Sequence, residues 1–232
     1  MKQKVFLVTG ASTGIGEATA RRAVEAGFNV VLAARSTEKL ERMVAEFGAE
    51  RALAVTCDVA DWQSQQNLVE KALQRFGRID VVFANAGFSK GSTFYGGEDK
   101  PDEWREMVMV NVFGAAVTAR LTLPELVKSC GHFLITGSVV GRVTSIRNLY
   151  SATKWAVTGM AQAIRNEMVG TGIRVTLIEP GIVDTPFWDH LQKPPSTELQ
   201  SDDIARAVMY AVSQPPHVDV NNILIRPTGQ PH

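Results

Sequence analysis

The chain has 232 residues, of which 45% are hydrophobic and 21% charged, and its 24 basic and 24 acidic residues cancel to a formal net charge of zero. That composition fits a soluble globular chain forming one large α/β domain over residues 1–232, and it lacks the basic excess of a general nucleic-acid binder. The two cysteines, Cys57 and Cys130, have no metal-ligand spacing, so a reducing, cytoplasmic compartment and no metal are expected.

The first apolar run, "KVFLVTG" (4–10), is too short to span a membrane and lacks a signal-peptide cleavage pattern. It reads as a buried strand, and no membrane partner is expected. A helix follows over 16–27, stopped by Gly27, then a strand over 29–35 and a helix over 37–48. A third strand (51–59) and third helix (61–77) repeat the unit, with Asp61 placed to cap that helix. A fourth strand covers 79–87. After a polar loop (88–100) comes a long helical region, 101–129, in which Pro124 predicts a kink. A fifth strand (131–138), a helix (149–169) and a sixth strand (173–181) follow. The tail carries a helix over 201–214, with Ser201 as N-cap, and a last strand ending near 229.

The strands are rich in Val, Ala and Leu without polar alternation, as expected when both faces of a sheet are covered. Strands alternating with helices every 20 to 30 residues or so indicate a doubly wound Rossmann fold with a parallel sheet of about seven strands.

Gly10, Gly14 and Gly16 stand where the first strand turns into the first helix. Glycines there let backbone N–H groups approach a phosphate, and the helix N-terminus adds a favourable dipole. The spacing is neither G-x-G-x-x-G nor a Walker loop, and a close helix–strand crossing would also use glycine. The second strand ends Ala33-Ala34-Arg35-Ser36, without the acid that would bind the adenine ribose of NAD. Arg35 offers a planar, permanently charged fork suited to the 2′-phosphate of NADP, or is a surface arginine opening the next helix. Asp58 closes the third strand and is a candidate acceptor for an adenine amino group. Asn85, Ala86 and Gly87 bring a slender backbone to the sheet edge where ligands bind in such folds.

Tyr150 and Lys154 lie at i and i+4, on one helix face. A free phenol titrates near ~10, and a neighbouring ammonium favours its ionised form. Ser138 ends the fifth strand at the same edge, where its hydroxyl can hold a substrate oxygen. Taken singly, a Tyr and a Lys at this spacing also describe an ordinary surface pair.

Together, "TGASTGIG", "CDV", "NAG", the Asn of "VNVFG", "GSVVG", "YSATK" and "EPGIVDT" resemble the short-chain dehydrogenase/reductase family, in the family's order from about Lys4 to Thr185. The resemblance implies that Tyr150 is the general acid/base, that Lys154 lowers its pKa and holds the nicotinamide ribose, and that Ser138 orients the substrate oxygen. Asn111 would shape its helix and support a water in the proton path. The dinucleotide contacts it implies are Gly10, Ser12, Thr13, Gly14, Ile15 and Gly16 in the first turn, Arg35 and Ser36, then Asp58 and Val59. Asn85, Ala86 and Gly87 follow, with Tyr150, Lys154, Pro180, Gly181, Val183 and Thr185 at the nicotinamide end. The expected cofactor is NADP(H), with NAD(H) possible; the partners are a small carbonyl or alcohol substrate and further copies of the chain in a homodimer or homotetramer.

Three departures from the family pattern bear on these roles. Ala84 stands where the family commonly has a second asparagine, Ser138 and Tyr150 are one position closer than usual, and Thr13 replaces a basic residue common in NADP-dependent members. Residues 186–200 are expected to cover the substrate, with Phe187, Trp188 and Leu191 either lining its pocket or packing the cover down. Phe88, Val140 and Arg142 are placed near the site, Arg142 as a partner for a substrate carboxylate or as a solvated loop residue. The tail "NNILIRPTGQP" is similar to members acting on 3-hydroxy acids, serine-like substrates and small aldehydes or ketones.

Overall fold

The computed structural model describes residues 3–90, 94–95, 100–143, 148–189, 191 and 197–230. Five of the strands are β1 (Val5–Thr9), β2 (Asn29–Ala34), β3 (Ala52–Thr56), β4 (Val81–Ala84) and β5 (His132–Thr136). They join β6 (Arg174–Pro180) and β9 (Asn222–Ile225) in a seven-stranded sheet of order β3-β2-β1-β4-β5-β6-β9. Every neighbouring pair in it is parallel. The strand order reverses between β1 and β4, which opens a crevice at the carboxyl edge there.

Parallel pairing forces each connection back over a face, and the helices provide it. These are α1 (Gly14–Glu25), α2 (Thr37–Phe47), α3 (Trp62–Phe76), α4 (Pro101–Val108), α5 (Ala115–Ser129), α6 (Asn148–Glu167) and α7 (Ser201–Ser213). Side chains alternate across the sheet. In β1, Val5 and Leu7 enter the core shared with Leu68 and Ala72 of α3, Ala119 of α5 and Val157 of α6. Phe6 and Val8 enter the opposite one, with Ala20 of α1, Leu40 of α2 and Val208 of α7. Burial on both sides explains why these strands read as unbroken apolar runs.

The expected strands and long helices all form, with boundaries that shift for local reasons. Helix α1 starts at Gly14, inside the glycine turn, so Gly16 already belongs to its first turn. Strand β4 ends at Ala84 because the Asn85 and Ala86 N–H groups donate to the Thr9 hydroxyl at 3.0 and 3.1 Å, which bends the chain out of the ladder. The last strand stops at Ile225. Asp61 caps α3 as expected, accepting from Ser64 N at 2.6 Å.

One expectation is corrected. The N-cap of α7 is Gln200, one residue before Ser201, and Asp203 reaches back to the Gln200 N–H at 2.8 Å. Pro124 lies inside α5, and a π turn over Met109–Gly114, which carries Asn111, stands between α4 and α5. An 18-residue window of that helical run has mean hydropathy 1.4, enough by composition to cross a membrane, but half of the window is buried against the rest of the fold, as in a core helix.

A two-residue strand, β7 (Val183–Asp184), pairs with β8 (Leu199–Gln200) and closes the segment expected to cover the substrate. Of that segment, residues 190 and 192–196 lie outside the described residues, as does the 144–147 part of the short Ser138–Tyr150 connection.

The start of β5 holds a buried histidine. His132 Nε2 lies 2.7 Å from the Thr176 hydroxyl, which spends its own proton on Val220 O. Nε2 must therefore carry the hydrogen, leaving Nδ1 bare, and Nδ1 is buried without a partner. Burial, and then the nearby Arg174 charge, push the His132 pKa down to about 3. The unfolded chain thus binds one more proton than the folded one between about pH 6.5 and 3, and stability falls as pH falls through that window. Acidifying from pH 7 to 5 should remove about 2 kcal/mol through this group alone. His132→Gln keeps a donor for Thr176 and should flatten the loss, as urea unfolding at both pH values will read; an unchanged slope would exclude His132 as its source.

Candidate active site

The carboxyl edge of the sheet opens into a cavity of about 980 Å³. Its wall is assembled from the ends of β1, β2, β3, β4, β5 and β6, from α6, and from the segment after β7. Every residue expected to hold the dinucleotide or to carry the chemistry lies on this wall except Gly16 and Asn111, which stand behind it.

The glycine turn is held by close packing. Gly10 and Gly14 have φ of 65° and 57°, which disfavour a side chain. A Cβ on Gly10 would come within 2.9 Å of Ala86 Cα, and one on Gly16 would overlap the Gly10 carbonyl. The glycines therefore permit a tight helix–strand crossing, and that crossing faces the cavity. Thr13 caps α1 in extended conformation without a side-chain bond, so first-turn N–H groups remain available to an anion.

Asn85 does the joining work that Ala84 cannot. Its amide donates to Thr9 O at 3.1 Å and accepts from the Thr136 hydroxyl at 3.1 Å, so one asparagine ties β1, β4 and β5 together at the cavity floor. At the far end, Asp58 accepts from Ala60 N at 2.9 Å and still lines the wall. Arg35 is 66% exposed there and pairs with Glu106 at 3.2 Å, a screened surface contact that another anion can displace.

Tyr150 and Lys154 rise from one face of α6, with the Lys154 Nζ 5.7 Å from the Tyr150 ring centroid. Lys154 is only 5% exposed and donates to Thr136 O at 2.8 Å. Burial pushes its pKa down to about 8, so the ammonium persists below that pH. Ser138 caps the short turn after β5, accepting from Val140 N at 3.3 Å. Asn111 reaches the site through its neighbours. It accepts from Phe88 N at 3.0 Å and donates to Phe88 O at 2.9 Å and to Thr153 Oγ1 at 3.2 Å. Thr153 in turn donates to Tyr150 O. The π turn, the loop at Phe88 after β4 and the first turn of α6 are thereby fastened to one another.

The apolar flank of the cavity is Phe88, Val140, Phe187 and Trp188. Phe187 lies against Tyr150, ring centroids 5.5 Å apart, and Trp188 donates its indole N–H to Val183 O at 2.9 Å. Leu191 is not on the wall. Arg142 keeps the exposure expected of a loop arginine, with 36% of its side chain open to solvent, but it forms two bonds, 2.6 and 2.8 Å, to Glu179, a carboxylate that is almost wholly buried on β6, rather than being left for a substrate carboxylate. A buried carboxylate needs such a partner, so Arg142 is committed to the fold. Among the large apolar side chains of α4 and α6, Met107 is fully buried in the core, whereas Trp155 is 48% exposed.

Sequence reasoning missed Thr136, whose carbonyl holds Lys154, and Gly229 and Gln230, which bring the tail to the cavity. Thr136 lies two residues before Ser138 on a strand already pointed at the site, and that register was a usable signal. Gln230 carried none.

Comparison with known proteins agrees with this architecture. The short chain dehydrogenase family matches residues 4–196. An uncharacterized oxidoreductase of Staphylococcus aureus is 39% identical over 231 residues, covering 98% of each chain. An alcohol dehydrogenase from the archaeon Thermococcus sibiricus, solved with 5-hydroxy-NADP, superposes with TM-score 0.88 at 33% identity and 96% coverage of both chains. A serine dehydrogenase in closed form with NADP+ superposes with TM-score 0.92 at 28% identity, covering 98% of this chain and 96% of that one. The protein belongs to the short-chain dehydrogenase family of oxidoreductases.

Proposed function

We propose that the protein is an NADP(H)-dependent oxidoreductase that interconverts a carbonyl and a primary or secondary alcohol on a small substrate. The observation that carries this reading is the grouping of Ser138, Tyr150 and Lys154 on one cavity wall, with Arg35 and Ser36 on the same wall three strands away. The two free cysteines and the balanced charge suit a reducing cytoplasm. The relatives solved with NADP and its 5-hydroxy derivative support the choice of cofactor.

The residues present fit a dinucleotide. The open N-terminus of α1 suits its pyrophosphate, Asp58 its adenine, and the Gly181–Val183 segment its nicotinamide end. When bound, the cofactor supplies or accepts the hydride. Tyr150 gives its proton to the carbonyl oxygen in reduction and takes it back in oxidation. The Ser138 hydroxyl and the Tyr150 hydroxyl stabilise charge developing on that oxygen. Lys154 keeps a positive charge beside the phenol, which favours the phenolate needed for oxidation. Phe88, Val140, Phe187 and Trp188 receive the carbon skeleton of the substrate and keep water from the reacting centre.

The preference for NADP over NAD rests on Arg35, with Ser36 adding a neutral hydrogen bond. Thr13 brings no second cation, so the preference is moderate. A charge-assisted hydrogen bond contributes about 1.5–3 kcal/mol, or one to two powers of ten in affinity. Ala34→Asp combined with Arg35→Ala should shift the ratio of kcat/KM for NADPH and NADH toward NADH by about that factor. A panel of aldehydes, ketones and hydroxy acids assayed with both cofactors supplies the substrate for the measurement. Equal use of both cofactors by the wild type, or a ratio unmoved by the substitutions, would take Arg35 out of the cofactor site.

A further inference from the structure

The tail returns to the cavity through a turn after β9, closed by Gln230 N donating to Pro227 O at 3.1 Å. From that turn the Gln230 side chain reaches back 48 residues in sequence and accepts a hydrogen bond from Ile182 N at 2.9 Å. The neighbouring Gly181 N donates to Ile225 O at 2.7 Å, and the Ile182 carbonyl accepts from Leu199 N at 2.9 Å. The strand end that leaves β6 is therefore held by β9 and the tail on its N–H side, and by the strand closing the covering segment through Ile182 O.

Gln230 also fills the room that a side chain at 181 would need. A Cβ on Gly181 would overlap the Gln230 amide oxygen and stand 3.0 Å from Pro227 Cδ. Gly181, Ile182, Val183, Gly229 and Gln230 all face the cavity that Tyr150 lines.

We propose that Gln230 is a positioning residue for the dinucleotide: by accepting the Ile182 N–H, its side chain fixes the Gly181–Val183 backbone in the conformation that receives the nicotinamide end. The proposal rests on the dinucleotide reading of the cavity. The requirement at 230 is for an acceptor of the right reach. Without one, the Ile182 N–H loses its partner, the segment samples other conformations, and the apparent affinity drops by the fraction still competent to bind.

Glutamate keeps an acceptor at the same reach, and methionine keeps the length and bulk without it. Gln230→Met in the full chain should weaken NADPH binding by about 3- to 10-fold, read by fluorescence titration. It should leave unchanged the affinity for the bisphosphorylated adenosine half of NADP, which reaches only the Arg35 end. Gln230→Glu should restore NADPH binding to near the wild-type value. The proposal falls if Gln230→Met binds NADPH as the wild type does, if both ligands weaken equally, or if Gln230→Glu behaves like Gln230→Met. Should the wild type bind neither ligand, the dinucleotide reading fails and this proposal with it. Should the wild type bind both while the variants miss these outcomes, the positioning role alone is rejected.

Discussion

Tyr150→Phe is expected to lower turnover by about 10²–10⁴-fold, the usual cost of losing a positioned acid/base. Phenylalanine keeps the ring that lies against Phe187 and beside Lys154, so the cavity wall is preserved and only the hydroxyl is lost. Cofactor affinity should therefore stay near the wild-type value while kcat collapses, the pattern of an interaction made in the transition state. Single-turnover rates with an identified substrate, alongside NADPH titration of the same preparation, separate the two quantities. Near wild-type turnover would remove Tyr150 from the chemistry.

Lys154→Met should abolish most activity and, without cofactor, make the protein more stable at neutral pH. Lys154 is buried as an ammonium whose pKa is lowered from 10.5 to about 8 by desolvation. Because the folded value is the lower one, the unfolded chain binds more protons between about pH 8 and 10.5. The penalty is thus fully present below pH 8 and is relieved as pH rises through that window. Its size is about 3 kcal/mol, offset in the variant by about 1 kcal/mol or more for the Thr136 carbonyl left without its donor. A net gain of about 1–2 kcal/mol at pH 7 should vanish, or reverse, by pH 10. Urea unfolding of both proteins at the two pH values tests this, and a variant less stable than wild type at pH 7 would defeat it. Such a trade of stability for function is common where a charge must stand in a dry site.

Most of the fold was legible because its signals are local. Each buried strand is a short apolar run, each helix shows its own period, and Asp61 marks a helix start within four residues. The grouping proposed to carry the chemistry was legible for the same reason: Tyr150 and Lys154 are one helical turn apart, and Ser138 follows a recognisable strand. What escaped depends on partners distant in sequence. The salt bridge between Arg142 and Glu179 joins positions 37 residues apart at neighbouring strand ends, so nothing near Arg142 announced a buried carboxylate. Gln230 meets Ile182 only after the chain has added β9 at the sheet edge. The β7–β8 pair has two residues per strand, too few to leave any periodic pattern. The π turn escaped because its six residues, "MVNVFG", are as apolar and helix-compatible as their flanks.

That π turn makes the length of this helix a matter of counting. A π turn corresponds to an α-helix with one residue to spare, and one residue is worth about 100° of rotation. Because the wider turn already absorbs the spare residue, removing one position from Met109–Gly114 would let the segment close into regular α geometry with Pro101–Val108 and α5 still in register, and only residues inside the turn would change face. Met107, fully buried in α4, would keep its place, whereas Asn111, inside the turn, would part from Phe88 and Thr153. Among relatives, this stretch should accept exchanges of one apolar residue for another far more readily than it accepts a change of length, even though none of its apolar side chains is asked to do chemistry.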